Sequence, residues 1–377
     1  MCMIGFVRRR IVLGGGQLAC MLVEAAQKIE GIELVAWSED PQSPIFHVPG
    51  VEVFQGPLGE VLQKANVEGW IAESEFIQSP ELSAGEGTPR LELLQLLSNK
   101  AQQKALLDRL ALPTAPWKKI DRLEDLPRTR EWVLKQSTFG YDGKGNAFDP
   151  KGFERFWERS TQQGIEVYAE KKVDFVRELA RVFVRDRDGH VEAYPLVETH
   201  QEKGVCHWVQ GPVQASKKLW DESEHIGLQL LESLNYVGCF AIEFFEDQEG
   251  QLWVNELAPR VHNSAHYSMD LGPEFPSQFE NQVRAAFGLP LRVVPALKSG
   301  EAFLMLNLLG PFDLKEELLL EEQPHWSEAQ GVLHWYAKQK IRSGRKMGHL
   351  NFSGQIQREK LLKQGEQFWH NYLKSQS

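Results

Sequence analysis

The chain has few cysteines, and they are scattered. Cys2, Cys20, Cys206 and Cys239 are its four, and none forms a C-x-x-C pair. That spacing supports neither a disulfide framework nor a cysteine zinc site, and it fits a reducing, cytoplasmic setting. Long apolar runs are missing as well, since no segment approaches the roughly 18 uninterrupted apolar residues of a membrane span. Positive charge is in the minority, with 42 Lys and Arg against 52 Asp and Glu and a net charge of −10. A surface that binds nucleic acid throughout is therefore not expected, although local basic pockets remain open. Two phosphate-binding signatures are absent too. No G-x-G-x-x-G follows the first predicted strand, and no G-K-[ST] opens a helix.

What is present is a chain of 377 residues, too long for one ordinary core, so two or three domains are expected. Its 42% hydrophobic and 25% charged residues place it among ordinary globular proteins rather than disordered ones. "FVRRRIVLGGGQLACML" has the basic start and apolar stretch of a secretory signal, but Gly14, Gly15, Gly16 and Gln17 interrupt it. The segment reads instead as strand, Gly-rich turn and helix, followed by the strand "IELVAWS". With "GWIAES", Gly69 to Ser74, these elements predict a small doubly wound α/β domain ending near residue 95. A helix, "NKAQQKALLDRLAL", then stops at Pro113. Alternation from Val167 to Thr199 predicts a β meander with a turn at Asp188-Gly189, and a helix is expected near Ser223 to Leu234. A small mixed C-terminal domain completes the chain.

"AIEFFEDQEGQLWVNEL" has the form of a β-hairpin turning at Glu249-Gly250. An even-length loop centred there sets Glu243 directly opposite Glu256, on a face that also carries Ala241, Phe245, Leu252, Val254 and Ala258. Like charges paired on an apolar face are destabilising, and a divalent cation removes the conflict. Hard oxygen ligands suit Mg²⁺ carrying substrate phosphates. The competing reading is a register shifted by one, which turns one Glu to solvent.

Two basic features accompany this pair. "EWVLKQSTFGYDGKGN" runs from a strand ending at Lys135 into Gly140, Gly143 and Gly145, whose backbone could approach phosphate oxygens, with Lys144 adding charge. Read alone, the loop is equally well a plain surface hairpin. "HWYAKQKIRSGRKMGHLN" carries Lys338, Lys340, Arg342, Arg345 and Lys346, and no Asp or Glu occurs between Glu328 and Glu359. In an acidic protein that island suits a phosphate-bearing small molecule better than a nucleic acid or a solvated face.

The order of these elements resembles the ATP-grasp superfamily and, within it, the N5-carboxyaminoimidazole ribonucleotide synthases of purine biosynthesis. The resemblance covers nearly the whole chain. It rests on "GGGQLACM", "VLKQSTFGYDGKGN", "VNELAPRVHNSAHY", "GLPL" and "SGRKMGH". It implies an α/β (α+β) ATP-grasp fold. Residues 1–95 would form a Rossmann-like pre-ATP-grasp domain and 96–292 the ATP-grasp domain. Residues 293–377 would form a small C-terminal domain that helps bind the ribonucleotide phosphate. The implied enzyme is an ATP-dependent carbon–nitrogen ligase that carboxylates 5-aminoimidazole ribonucleotide with bicarbonate through carboxyphosphate. ATP, Mg²⁺ (or Mn²⁺) and bicarbonate are the implied cofactors and co-substrate. A cytoplasmic homodimer without nucleic-acid or membrane partners is the implied setting.

Carried over by position, Lys100 and Lys135 contact ATP phosphates, under a loop of Gly140, Tyr141, Asp142, Gly143, Lys144, Gly145 and Asn146. Glu170, Lys171, Lys172 and Val173 form the adenine-reading hinge, and Glu178 binds ribose, with Gln201 nearby. Glu243 and Glu256 hold the metal beside Asn255. Arg260, His262 and Asn263 stabilise carboxyphosphate. Tyr141 and Asp142 meet the aminoimidazole, while Lys338, Arg345 and Lys346 hold the ribonucleotide phosphate. His266 and His349 are left as either functional or structural histidines. The chain also departs from the family pattern. Ala19-Cys20 stands for Gly-Arg, Phe139 for a first loop glycine, Gln201 for a frequent His, and Val261 and Ala265 for Pro and Gly. The rivals are a formate-dependent transformylase of the same superfamily and a non-catalytic nucleotide-binding relative. A nicotinamide dehydrogenase leaves the Glu pair and the basic island unexplained.

Overall fold

The structure, a computed structural model, describes residues 7–77, 79–84, 86–138, 145–320 and 322–376. The would-be signal segment is the first strand, Arg8–Leu13, at the centre of a five-stranded parallel sheet. Its neighbours are Ile32–Trp37 and Gly69–Ala72, with Val53–Phe54 and Glu86–Thr88 at the edges. The arginines that imitate a signal are structural. Arg8 Nε lies 3.2 Å from Glu68, and the fully buried Arg10 reaches the Glu86 carboxylate at 2.8 Å. No helix among the described residues is long and apolar enough to cross a membrane.

The glycines of the first turn have a packing reason. Gly14 has φ +128°, and a Cβ there or on Gly16 would fall within 2.4 Å of a Glu73 carboxylate oxygen. That carboxylate accepts the backbone N–H groups of Gly16 at 2.8 Å, Leu18 at 3.1 Å and Ala19 at 3.3 Å. It neutralises the positive end of the helix Gln17–Ala26. The turn's donors are thus satisfied by the chain's own acid, which agrees with the missing dinucleotide fingerprint.

A two-stranded pair, Leu318–Leu319 with Lys340–Ile341, and two larger sheets follow. The smaller is antiparallel, in the order Trp117–Ile120, Val167–Lys171, Trp132–Gln136 and Asn146–Ala147. The larger has nine strands and runs from Leu252–Ala258 through Gly238–Asp247, Phe175–Arg185, Val197–Glu202 and Val205–Gly211. It continues with Ala302–Leu309, Lys346–Gly354 and Val332–Trp335, and the ninth strand, Val191–Ala193, pairs with Phe175–Arg185 off this path. Two expectations are corrected. The meander is not one unit, because Val167–Lys171 belongs to the smaller sheet and Lys172–Asp174 carries the chain to the larger one. The later helix spans Lys217–Ser233 and starts earlier than expected, because Ser216 caps it by accepting the Leu219 N–H. Residues beyond 293 share the large sheet through pairs such as Val209 with Met305. The helix Arg358–Ser375 covers that end, its Trp369 indole donating to the Leu309 carbonyl at 2.6 Å.

Candidate active site

The strand pair predicted to carry two carboxylates does so by a different route. Asp247 N–H donates to the Gln251 carbonyl, and Gly250, at φ +70°, closes a three-residue loop rather than an even one. From that loop Phe244 would pair with Val254 and Glu243 with Asn255. A bulge shifts the register after Phe244, so that Asn255 is passed over and Glu243 pairs with Glu256. Leu252 and Val254 consequently lie on the opposite face, packed with Phe240, Ile242 and Phe244. Ala241 and Ala258 share the Glu face as expected.

One cavity of about 1140 Å³ receives this pair. Every described candidate residue lines it except Gly145, which lies in the backbone next to Asn146. Gly140, Tyr141, Asp142, Gly143 and Lys144 lie outside the described residues. The cavity is walled by both antiparallel sheets, by Gln17 and Glu73 to Phe76 of the parallel sheet, and by the basic island.

At its centre, burial and the neighbouring Glu256 and Glu178 carboxylates push Glu243 up to about 7. Lys100 Nζ lies 2.9 Å from Glu256, and Asn255 Nδ2 and His262 Nε2 each lie 3.5 Å from Glu243. Burial pulls the Lys100 ammonium down, but Glu256, Glu243 and Glu75 outweigh it and hold it charged. Burial also raises Glu178 to about 7, against a hydrogen bond from Gln201. No set of three His, Cys, Asp or Glu converges among the described residues. Two carboxylates on one face still fit Mg²⁺, which takes its remaining oxygens from water and phosphate rather than from an all-protein cage.

The hinge residues divide their tasks. Glu170 is ion-paired with both Lys104 and Lys135, and they overcome burial to keep its carboxyl acidic. Its side chain therefore orients both lysines. Lys171, Lys172 and Val173 border the cavity, with Phe148, Phe175 and Phe245 as an apolar wall beside them. The Phe175 and Phe245 rings stack at 4.5 Å.

Arg260 is oriented by Glu75, whose Oε1 lies 3.3 Å from Nη2. Burial opposes the ionised Glu75, but the guanidinium outweighs it and holds the carboxyl below its usual range. Asn263 is engaged at both amide atoms by Asn307, at 3.1 and 2.8 Å, so its amide braces the wall. Lys338 Nζ donates to Gln17 Oε1 and to the Lys346 carbonyl, each at 2.6 Å. Arg345 donates to the Lys340 carbonyl at 2.8 Å. His266 and His349 are fully buried and held neutral, first by burial, with Tyr336 Oη 2.7 Å from His349 Nδ1. Neither lines the cavity. Val261 and Ala265 are buried in the core.

Sequence reasoning missed Glu73, Glu75, Lys104 and Gln17. A usable signal existed for the two acids. "AESE", Ala72 to Glu75, at the C-terminal end of a parallel strand, is where doubly wound sheets place ligand-facing groups.

Comparison with known proteins agrees with this geometry. Residues 105–279 match the ATP-grasp domain family, and 304–364 match the phosphoribosylaminoimidazole carboxylase C-terminal domain. The N5-carboxyaminoimidazole ribonucleotide synthase of Synechococcus elongatus is 35% identical, over 96% of this chain and 95% of its own. The Vibrio cholerae enzyme of the same name is 37% identical over 93% of each. Among solved structures, Aspergillus clavatus N5-carboxyaminoimidazole synthase, in complex with ADP and 5-aminoimidazole ribonucleotide, superposes with a TM-score of 0.78. It is 25% identical, with 98% of this chain and 100% of that one covered. Relatives this similar over nearly the full length leave one conclusion: the chain belongs to the N5-carboxyaminoimidazole ribonucleotide synthase family of ATP-grasp ligases.

Proposed function

We propose that the chain catalyses the reaction of its family. ATP phosphorylates bicarbonate to carboxyphosphate, whose carboxyl group passes to the exocyclic amine of 5-aminoimidazole ribonucleotide. The products are N5-carboxyaminoimidazole ribonucleotide, ADP and phosphate. The observation that carries the reading is the half-buried Glu243–Glu256 pair in one cavity with Lys100, Arg260, His262 and Lys346. An acidic pair in want of a cation thus adjoins a cluster of groups suited to anions.

In the first step a bicarbonate oxygen attacks the γ-phosphorus, the bond to the β-phosphate oxygen breaks, and ADP leaves with its electron pair. Lys100 and Lys135 attract the phosphates, and Glu243 and Glu256 would hold Mg²⁺ or Mn²⁺, which neutralises the transferring phosphoryl group. In the second step the amine nitrogen bonds to the carboxyl carbon, the carbon–oxygen bond to phosphate breaks, and the amine loses a proton. Arg260 and His262 face the charge that develops there, and Lys338, Arg345 and Lys346 hold the ribonucleotide phosphate. Such steps ask for positioning and charge neutralisation rather than a covalent nucleophile. We take the protein to be a cytoplasmic homodimer.

Phosphate release from ATP with each substrate omitted in turn tests the reading. Release should require both bicarbonate and aminoimidazole ribonucleotide. Dependence on formate instead would assign the transformylase activity, and no turnover with any combination would assign a binding module.

A further inference from the structure

His262 is more than part of the cavity wall. Its side chain caps the short helix beginning at Asn263, where the Ser264 backbone N–H donates to Nδ1 across 3.3 Å. A backbone N–H can only donate, so Nδ1 must present its lone pair. Ser264 Oγ lies 2.9 Å from the same nitrogen, with a hydroxyl proton to direct at it. The proton of a neutral ring is therefore on Nε2, which lies 3.5 Å from Glu243 Oε1 on the cavity side.

We propose that His262 serves the site as a fixed hydrogen-bond donor through Nε2, with Ser264 as the positioning residue that holds this tautomer. The proposal rests on the carboxylating reading above and adds a direction of proton traffic to it. A ring whose basic nitrogen is tied to the backbone has no lone pair for the attacking amine. It can give a hydrogen bond, and an oxygen of bicarbonate or carboxyphosphate, beside Arg260, is the acceptor of matching chemistry. The proton that the amine loses passes to the departing phosphate, a base that the reaction itself generates.

Glutamine and asparagine distinguish the two nitrogens, since a glutamine amide reaches the place of Nε2 and an asparagine amide that of Nδ1. The readout is kcat/KM for phosphate release that depends on aminoimidazole ribonucleotide. His262→Gln should stay within about tenfold of the parent, whereas His262→Asn should fall by about 10²–10³, the usual effect of losing one oxyanion donor. Equal loss in both, with KM for ATP unchanged, would make the ring a proton acceptor and overturn the proposal. The full chain labelled with ¹⁵N-histidine gives a second readout that does not depend on turnover. The His262 signals, assigned by their absence from His262→Gln, should show Nδ1 as the acceptor nitrogen and Nε2 as the protonated one. The reverse pattern would overturn the proposal. A parent protein that releases phosphate without bicarbonate would strike the functional reading instead and leave the tautomer result standing.

Discussion

Glu170 and Glu243 are two buried-face carboxylates of one cavity, on different sheets, and their surroundings are opposite. Glu170 lies between Lys104 and Lys135, and its charge is balanced from within the chain. Glu243 pairs across the strands with another carboxylate, and Lys100, a cation that acts on it, is engaged by Glu256. The same side chain is therefore a fixed scaffold on one sheet and an unfinished site on the other. The general lesson is that a buried charge satisfied internally positions its neighbours, whereas one left in conflict must take up a proton or a cation.

The sharpest way to break this contrast is to neutralise each side. Glu256→Gln should lower bicarbonate-dependent phosphate release by about 10³-fold, because the proposed metal site would keep only Glu243 of its two carboxylates. Its urea midpoint should change little, since the like-charge conflict with Glu243 and the ion pair with Lys100 disappear together. A large loss of stability instead would show that Glu256 serves the fold. Glu170→Gln should behave in the reverse manner. It leaves Lys104, which is 2% exposed, without its counter-charge, and should cost about 3 kcal/mol in urea denaturation.

Glu75 lies between the two cases, for it is internally satisfied but by a residue assigned to the chemistry. Glu75→Gln should leave Arg260 charged yet less firmly aimed. A fall of about 10- to 100-fold in kcat, with KM for ATP unchanged, is the expected result of such misplacement. A change confined to KM for ATP would remove Glu75 from the carboxyphosphate end of the cavity.

The contrast also marks how far the sequence could be read. Local alternation sufficed for the strands, and family-specific strings supplied site candidates of which every described one except Gly145 lines the cavity. The Glu243–Glu256 pairing was legible only because two departures cancel. The loop is one residue longer than an even turn, and the bulge at Asn255 restores the register. Glu75 and Arg260 are separated by 185 residues, and Lys104 and Glu170 by 66, so no local period announces either pair. The side-chain tasks of Asn263 and His266 depended on which buried partner each meets, Asn307 in one case and Gln278 in the other. Tertiary packing fixes those partners.

The smallest expected effect separates the two carboxylate environments by pH alone. Burial raises Glu178 from 4.5 to about 7, so the folded chain keeps a proton that the unfolded chain has already released. Below 4.5 both states hold it, and above 7 both have lost it, so the folded state loses stability as pH rises between those values. Glu178→Gln has no proton to release there. The stability of the parent relative to this variant should therefore fall by about 1 kcal/mol between pH 5 and 8, a figure reduced for partial solvent screening. Glu170 has the opposite sign, because Lys135 and Lys104 lower its pKa against burial. Relative to Glu170→Gln, the parent should gain stability as pH rises toward 4.5 and change little above it. Urea midpoints for the three proteins across that range would show both slopes. Parallel curves would mean that the two glutamates share one environment after all.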